Sequence, residues 1–169
     1  RELLKYAPSE LHVVPLDPAL PAVLAPFLDA QDKKALASPV IRMHAADPRG
    51  FFRTVPEPHF DLVVLAVPEP SSAALNRFYT RDFFEEVKRA LAGEGVLALS
   101  IEAGIHLQED TVAYAAALLA TLRAVFPEVV VTAGGTLRFF ASSASTIRAS
   151  RPLRSPTRDG DLLAHRFEN

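Results

Sequence analysis

Three acidic positions carry most of the chemistry that this sequence has to offer. They are Asp17 in Leu16-Asp17-Pro18, Asp47 in Ala46-Asp47-Pro48, and Glu69 in Val67-Pro68-Glu69-Pro70. An ionised carboxylate accepts hydrogen bonds and, within reach of a reacting group, a proton. Five histidines (12, 44, 59, 106 and 165) are scattered, and no pair stands at the i, i+3 or i, i+4 spacing of a helical metal site. His106 near Glu109 and Asp110 reads either as a proton shuttle or as a loop with a helix cap. Glu85-Glu86 with Lys88-Arg89 reads as a solvated helix face. Gly134-Gly135 reads as a turn between strands, since no helix pattern follows it as a phosphate cradle requires. Five arginines between 148 and 166 suit an anion or anionic lipid headgroups, or belong to a disordered tail.

The elements that must position these residues alternate in type. Leu11 to Leu16 reads as a buried strand that Pro15 weakens, because proline cannot donate to a ladder. Ala19 to Leu28 has helical spacing interrupted by Pro21 and Pro26. Val40 to Ala45 is a second strand, followed by a short helix at Phe51-Phe52. Asp61 to Val67 is apolar on both faces, which predicts a parallel strand covered by helices. Thr80 to Leu91 is the best-formed helix. Thr80 stands at its N-cap, acids come early and cations late, and its apolar stripe is Phe83, Phe84, Val87 and Leu91. Gly95 to Ile101 is a strand, Glu109 to Phe126 a helix stopped by Pro127, and Val129 to Thr132 with Leu137 to Ala141 an antiparallel pair. The class is α/β, in three layers. A mostly parallel sheet carries helices on both faces and ends in a C-terminal antiparallel hairpin. In such sheets ligands meet the carboxyl ends of the strands, where Asp17, Asp47 and the 67–72 loop stand.

Bulk properties of the 169-residue chain fit one domain, read as 1–145 with an irregular tail at 146–169. An apolar share of 49% and a net charge of −2 exclude intrinsic disorder and give no broad field to attract nucleic acid. The longest apolar stretch, Val112 to Ala120, falls short of the about 20 residues that a membrane span needs. No cysteine is present, so disulfides and thiolate metal sites are excluded. A cytoplasmic protein is the expectation. The sequence holds 14 Pro and only 7 Gly, where average usage gives about 8 and about 12. Phosphate-binding loops are usually built from glycine, so the shortage bears on any nucleotide site.

The stretch FDLVVLAVPEPSSAALNRFYTRDFFEEVKRALAGEGVLAL, residues 60–99, resembles the spermidine synthase-like (polyamine aminopropyltransferase) family. The similarity is strongest in its bacterial members carried next to membrane segments. Those have a strand, an Asp-x-x-Asp-Pro loop, LNRFYT-type residues opening a helix, and a Gly-x-Gly turn into the next strand. LDPAL at 16–20 and AADPRGFF at 45–52 stand where the family has its two acidic ligand loops, and VFPEVVVTAGG with FFAS resembles its C-terminal strands.

The resemblance implies a Rossmann-like, methyltransferase-type fold and aminopropyl transfer from decarboxylated S-adenosylmethionine to a polyamine. The nucleoside donor, or S-adenosylmethionine itself, is then a co-substrate and no cofactor is tightly bound. Asp17 occupies the place of the acid that binds the ribose hydroxyls, and Asp47 that of the acid at the adenine amino group. The alternative for each is a cap for the helix after it. In the Asp-x-x-Asp-Pro loop the first acid is here Ala66, whose methyl accepts no proton, and the second is Glu69. Glu69 is therefore the candidate catalytic residue. Phe84 stands where a tyrosine is frequent.

The family's first strand and Gly-rich loop precede the helix whose end matches Arg1–Tyr6. The chain is therefore expected to be part of a longer polypeptide, which would account for the missing glycine. The 11–16 and 61–67 strands are expected to pair directly or to have the gap between them covered by another chain. A homodimer is expected from the resemblance. The alternatives are a non-catalytic ligand-binding or dimerising module of a larger membrane-associated protein, and an S-adenosylmethionine-dependent methyltransferase.

Overall fold

The computed structural model describes residues 1–56, 58–102, 109–132, 134–145 and 147. His106 and the arginines from 148 onward lie outside these residues, so the shuttle and tail expectations do too. The chain divides into two compact units, Arg1–Thr54 and Val55–Asn169.

In the first unit, strand β1 (Leu11–Val13) pairs in parallel with β2 (Ile41–Met43), Leu11 facing Ile41 and Val13 facing Met43. The strand stops two residues before Pro15, as the missing N–H requires. Helix α1 covers Leu20–Leu24 with proline in its first turn, and a 3-10 turn continues it through Ala25–Phe27. The second proline thus tightens the helix where it stands. Helix α2 (Ala30–Leu36) has no counterpart among the expected elements. Its N-cap Asp29 accepts the Asp32 N–H at 2.7 Å. Helix α3 covers Pro48–Thr54 and buries Pro48 and Phe51.

The second unit holds nearly all of the core. Strand β3 (Phe60–Leu65) runs parallel to β4 (Leu91–Glu102). β4 pairs antiparallel with β6 (Thr136–Ser142), and β6 with β5 (Glu128–Thr132), giving the order β3-β4-β6-β5. The expected C-terminal hairpin is β5–β6, turned at 134–135. Helix α5 (Arg81–Ala90) is capped by the Thr80 hydroxyl, which accepts the Phe83 N–H at 3.3 Å. Its expected stripe is buried: Phe83, Phe84 and Val87 are fully enclosed and Leu91 nearly so. Phe84 is thus a core residue. A four-residue helix α4 (Ala73–Asn76), capped by Ser72, precedes α5. Helix α6 runs Glu109–Arg123, and Lys88 Nζ donates to the Val125 carbonyl at 2.7 Å just beyond it.

Three expectations need correction or narrowing. The face bearing Glu85 to Arg89 is only partly solvated, because Glu86 is buried and Lys88 reaches Val125. Of the two outcomes expected for the 11–16 and 61–67 strands, direct pairing is not among the ladders of the described residues, in which β1 pairs with β2 and β3 with β4. Nor is β3 covered on both faces. Leu62 and Val64 are 45% and 50% exposed, on a strand whose one neighbour among the described residues is β4. β4 also starts earlier than its sequence suggests. Phe60 pairs with Leu91, and an irregularity follows before Leu62 meets Val96. Gly95 permits this kink, for a Cβ there would lie 2.7 Å from the Phe60 carbonyl oxygen and 2.9 Å from that of Ala92.

Candidate active site

In the first unit both acids stand four residues past their strand ends, Asp17 after Val13 and Asp47 after Met43. Val13 and Met43 are register partners in a parallel pair, so equal offsets put both acids at the carboxyl end of the same two strands. Each acid shapes its own loop. Asp17 Oδ1 accepts the Ala19 N–H at 2.8 Å, and the Asp17 carbonyl accepts the Leu20 N–H at 3.0 Å. Asp47 Oδ2 accepts the Gly50 N–H at 3.1 Å, and its carbonyl accepts the Phe51 N–H at 2.8 Å. Asp47 thus does the capping work read from Asp-Pro, whereas Asp17 closes a turn ahead of α1, whose N-cap is Ala19 without a side-chain cap bond. In Asp17 the bond to the Ala19 N–H engages one carboxylate oxygen.

Behind them lies a ring cluster that the sequence reading missed. The His12 and His44 rings stack at 4.9 Å, and His44 meets Phe51 at 4.7 Å. Burial, with a smaller contribution from His12, holds the His44 imidazole below its ordinary pKa. The only signal for this cluster is strand register, which brings β1 and the end of β2 side by side.

In the second unit the loop after β3 delivers Glu69. The carboxylate Oε1 accepts the backbone N–H of Glu102, the last residue of β4, at 2.9 Å. Glu69 thus stands at the carboxyl end of the parallel pair β3–β4, where ligands meet such sheets. Ala66 is exposed on the same loop and contributes a methyl group.

Two tyrosines border this loop. Tyr79 donates its phenol hydrogen towards the Val67 carbonyl at 2.9 Å, with the Pro68 carbonyl at 3.2 Å. Its ring meets that of Tyr114, on α6, edge-on at 6.4 Å. The Tyr114 hydroxyl is buried and has no partner among the described residues. Burial above all, and then the Glu69 carboxylate, raises the Tyr79 pKa. Burial, Tyr79 and Glu69, in that order, raise that of Tyr114. Both stay protonated at neutral pH. Neither tyrosine was singled out from sequence. Tyr79 sits inside the LNRFYT stretch, but its bond reaches back 12 residues, a distance no local pattern encodes.

No described helix is long and apolar enough to cross a membrane.

Acids at the carboxyl ends of parallel strands, with an antiparallel hairpin closing the sheet, define a Rossmann-like α/β protein of methyltransferase type. Solved structures agree on the fold. A spermidine synthase in complex with the transition state analogue AdoDATO superposes with a TM-score of 0.66 at 17% identity, covering 80% of this chain and 47% of that one. Human methyltransferase-like protein 13 in complex with SAH gives 0.55 at 21% identity, covering 99% and 83%.

Residues 1–147 match the spermine/spermidine synthase domain, and the chain belongs to that family. It is 34% identical over 125 residues to the polyamine aminopropyltransferase of Nitrosomonas europaea, covering 73% of this chain and 37% of the relative. Spermidine synthase 2 of Hyoscyamus niger is 35% identical over 77 residues, covering 44% and 25%. The chain thus spans well under half the length of these curated relatives.

Proposed function

We propose that this chain forms the ligand-facing part of a polyamine aminopropyltransferase, in which Glu69 is the amine-facing acid and Asp17 and Asp47 face the nucleoside. In the transfer, an amine nitrogen of the polyamine bonds to the propyl carbon on the sulfonium of decarboxylated S-adenosylmethionine. The carbon–sulfur bond breaks with its electron pair going to sulfur, and methylthioadenosine leaves. The new ammonium then gives up a proton, and Glu69 is the carboxylate on this loop that can take it. The family match over residues 1–147 supports one domain across both units, read as 1–145. The observation that carries the assignment to Glu69 is its bond to Glu102, which holds an acid at the carboxyl end of β3–β4.

A homodimer, a cytoplasmic location and a nucleoside co-substrate go with this reading. So does cover for β3 from another chain segment, since Leu62 and Val64 are exposed. A second reading, a non-catalytic binding module, is favoured by Ala66 alone, because that position offers no proton acceptor. Calorimetry with methylthioadenosine tests the nucleoside half. Binding is expected, with Asp17→Asn weakening it about tenfold, the cost of one charge-assisted bond. Asparagine closes the same turn onto the Ala19 N–H as aspartate does, so the loop is retained. Absence of binding, or an unchanged affinity in the variant, refutes the assignment of Asp17.

A further inference from the structure

We infer that Tyr79 is a positioning residue that sets where the Glu69 carboxylate stands; this rests on the reading of Glu69 as the amine-facing acid. The Tyr79 hydroxyl lies 2.9 Å from the Val67 carbonyl oxygen and 3.2 Å from that of Pro68. Those are the two peptide groups immediately ahead of Glu69. One phenol hydrogen shared between successive carbonyls fixes the orientation of both peptide planes, and the next residue's Cα direction follows from them.

The anchor itself is buried and packed. Tyr79 is 7% exposed, stands between fully buried Phe78 and the Thr80 cap of α5, and lies edge-on against Tyr114. Beyond the clamp the chain turns at once, the Ser71 N–H donating to the Glu69 carbonyl at 2.7 Å. Glu69 is therefore held on both sides. Its side chain emerges from a backbone pinned by Tyr79 and ends on the Glu102 N–H at 2.9 Å. Because Pro68 and Pro70 flank Glu69, the loop's own N–H groups offer it little else to hold its shape, since proline has none. The raised phenol pKa of Tyr79 keeps the clamping hydrogen in place through the neutral range.

Amide hydrogen exchange at Glu102 reads this arrangement directly, because that N–H is protected by the Glu69 carboxylate. Tyr79→Phe keeps the ring and removes only the oxygen. The variant is expected to speed Glu102 exchange about three- to tenfold, the weight of one ordinary hydrogen bond, with the Leu97 and Leu99 amides unchanged. In a Glu69→Ala background Glu102 already exchanges fast, and adding Tyr79→Phe is expected to change nothing further. Unchanged Glu102 exchange in Tyr79→Phe overturns the inference, as does equal acceleration with and without Glu69. Acceleration that extends to Leu97 and Leu99 overturns it too, for it marks a role in general stability. The exchange experiment needs no substrate. If wild-type protein transfers no aminopropyl group while this coupling is present, the functional reading of the site fails and the positional role of Tyr79 stands.

Discussion

Glu69 and Glu102 lie 33 positions apart in sequence, and the side chain of one accepts the backbone N–H of the other at 2.9 Å. The contact ties the loop after β3 to the last residue of β4. It converts an exposed loop acid, bracketed by two prolines, into one with a defined place at the sheet's carboxyl end.

The Tyr114 hydroxyl is the clearest defect in the same region. It is buried without a partner among the described residues, and a buried donor left unpaired costs about 1–3 kcal/mol. Tyr114→Phe removes that cost and keeps the ring against Tyr79. The variant is expected to gain about 1 kcal/mol in chemical denaturation.

Alkali should act on both tyrosines together. Each has a folded pKa raised above the ordinary phenol value of about 10. A raised pKa means that the neutral form is favoured by folding. Its contribution is complete below about pH 10 and is lost as pH rises through the folded values. Stability followed by denaturation from pH 8 to pH 11 is expected to be flat and then to fall. In Tyr79→Phe/Tyr114→Phe the fall is expected to be shallower.

His44 gives the opposite dependence. Burial lowers its pKa, so folding favours the neutral imidazole. That contribution is present above the unfolded value of about 6.5 and is lost as pH falls through the folded one. Acidification from pH 7 to pH 5 is expected to destabilise the Arg1–Thr54 unit, read as faster amide exchange in β1 and β2. His44→Phe is expected to flatten the response.

Gly95→Ala tests the kink in β4. Its Cβ would enter within 2.7 Å of the Phe60 carbonyl oxygen, a backbone atom that cannot step aside cheaply. A loss of about 1–3 kcal/mol is expected in denaturation, in the range of overpacking costs. Gly93→Ala, with open space around the same atom, is expected to be nearly silent.

Much of the second unit was legible because its signals are local. Thr80 with its early acid, and the Phe83, Phe84, Val87 and Leu91 stripe, specify a capped helix and its buried face without outside help. The β3 run and the hairpin around Gly134-Gly135 are equally local. Helix α2 was not legible, because AQDKKAL buries nothing and so shows no apolar period. The early start of β4 depends on a close approach between Gly95 and Phe60, which no window of sequence contains.

The candidate site divides the same way. Asp17, Asp47 and Glu69 announce themselves by residue type beside proline. The roles of Tyr79 and Tyr114 arise from contacts across turns, and the His12–His44 stack arises from strand register. The exposure of Leu62 and Val64 contradicts the cover that their apolar pattern implies. Hydrophobic period reports what a strand is suited to, and the neighbour that covers it is a separate matter.

The most direct test supplies decarboxylated S-adenosylmethionine and putrescine and measures aminopropylated product by mass spectrometry, for wild type, Glu69→Gln and Ala66→Asp. Wild-type protein is expected to form product slowly, and Glu69→Gln to lose about a hundredfold or more, as removal of a proton acceptor does. Ala66→Asp restores a carboxylate on the loop and is expected to raise the rate about tenfold or more. No product from either wild type or Ala66→Asp would contradict aminopropyl transfer by this chain.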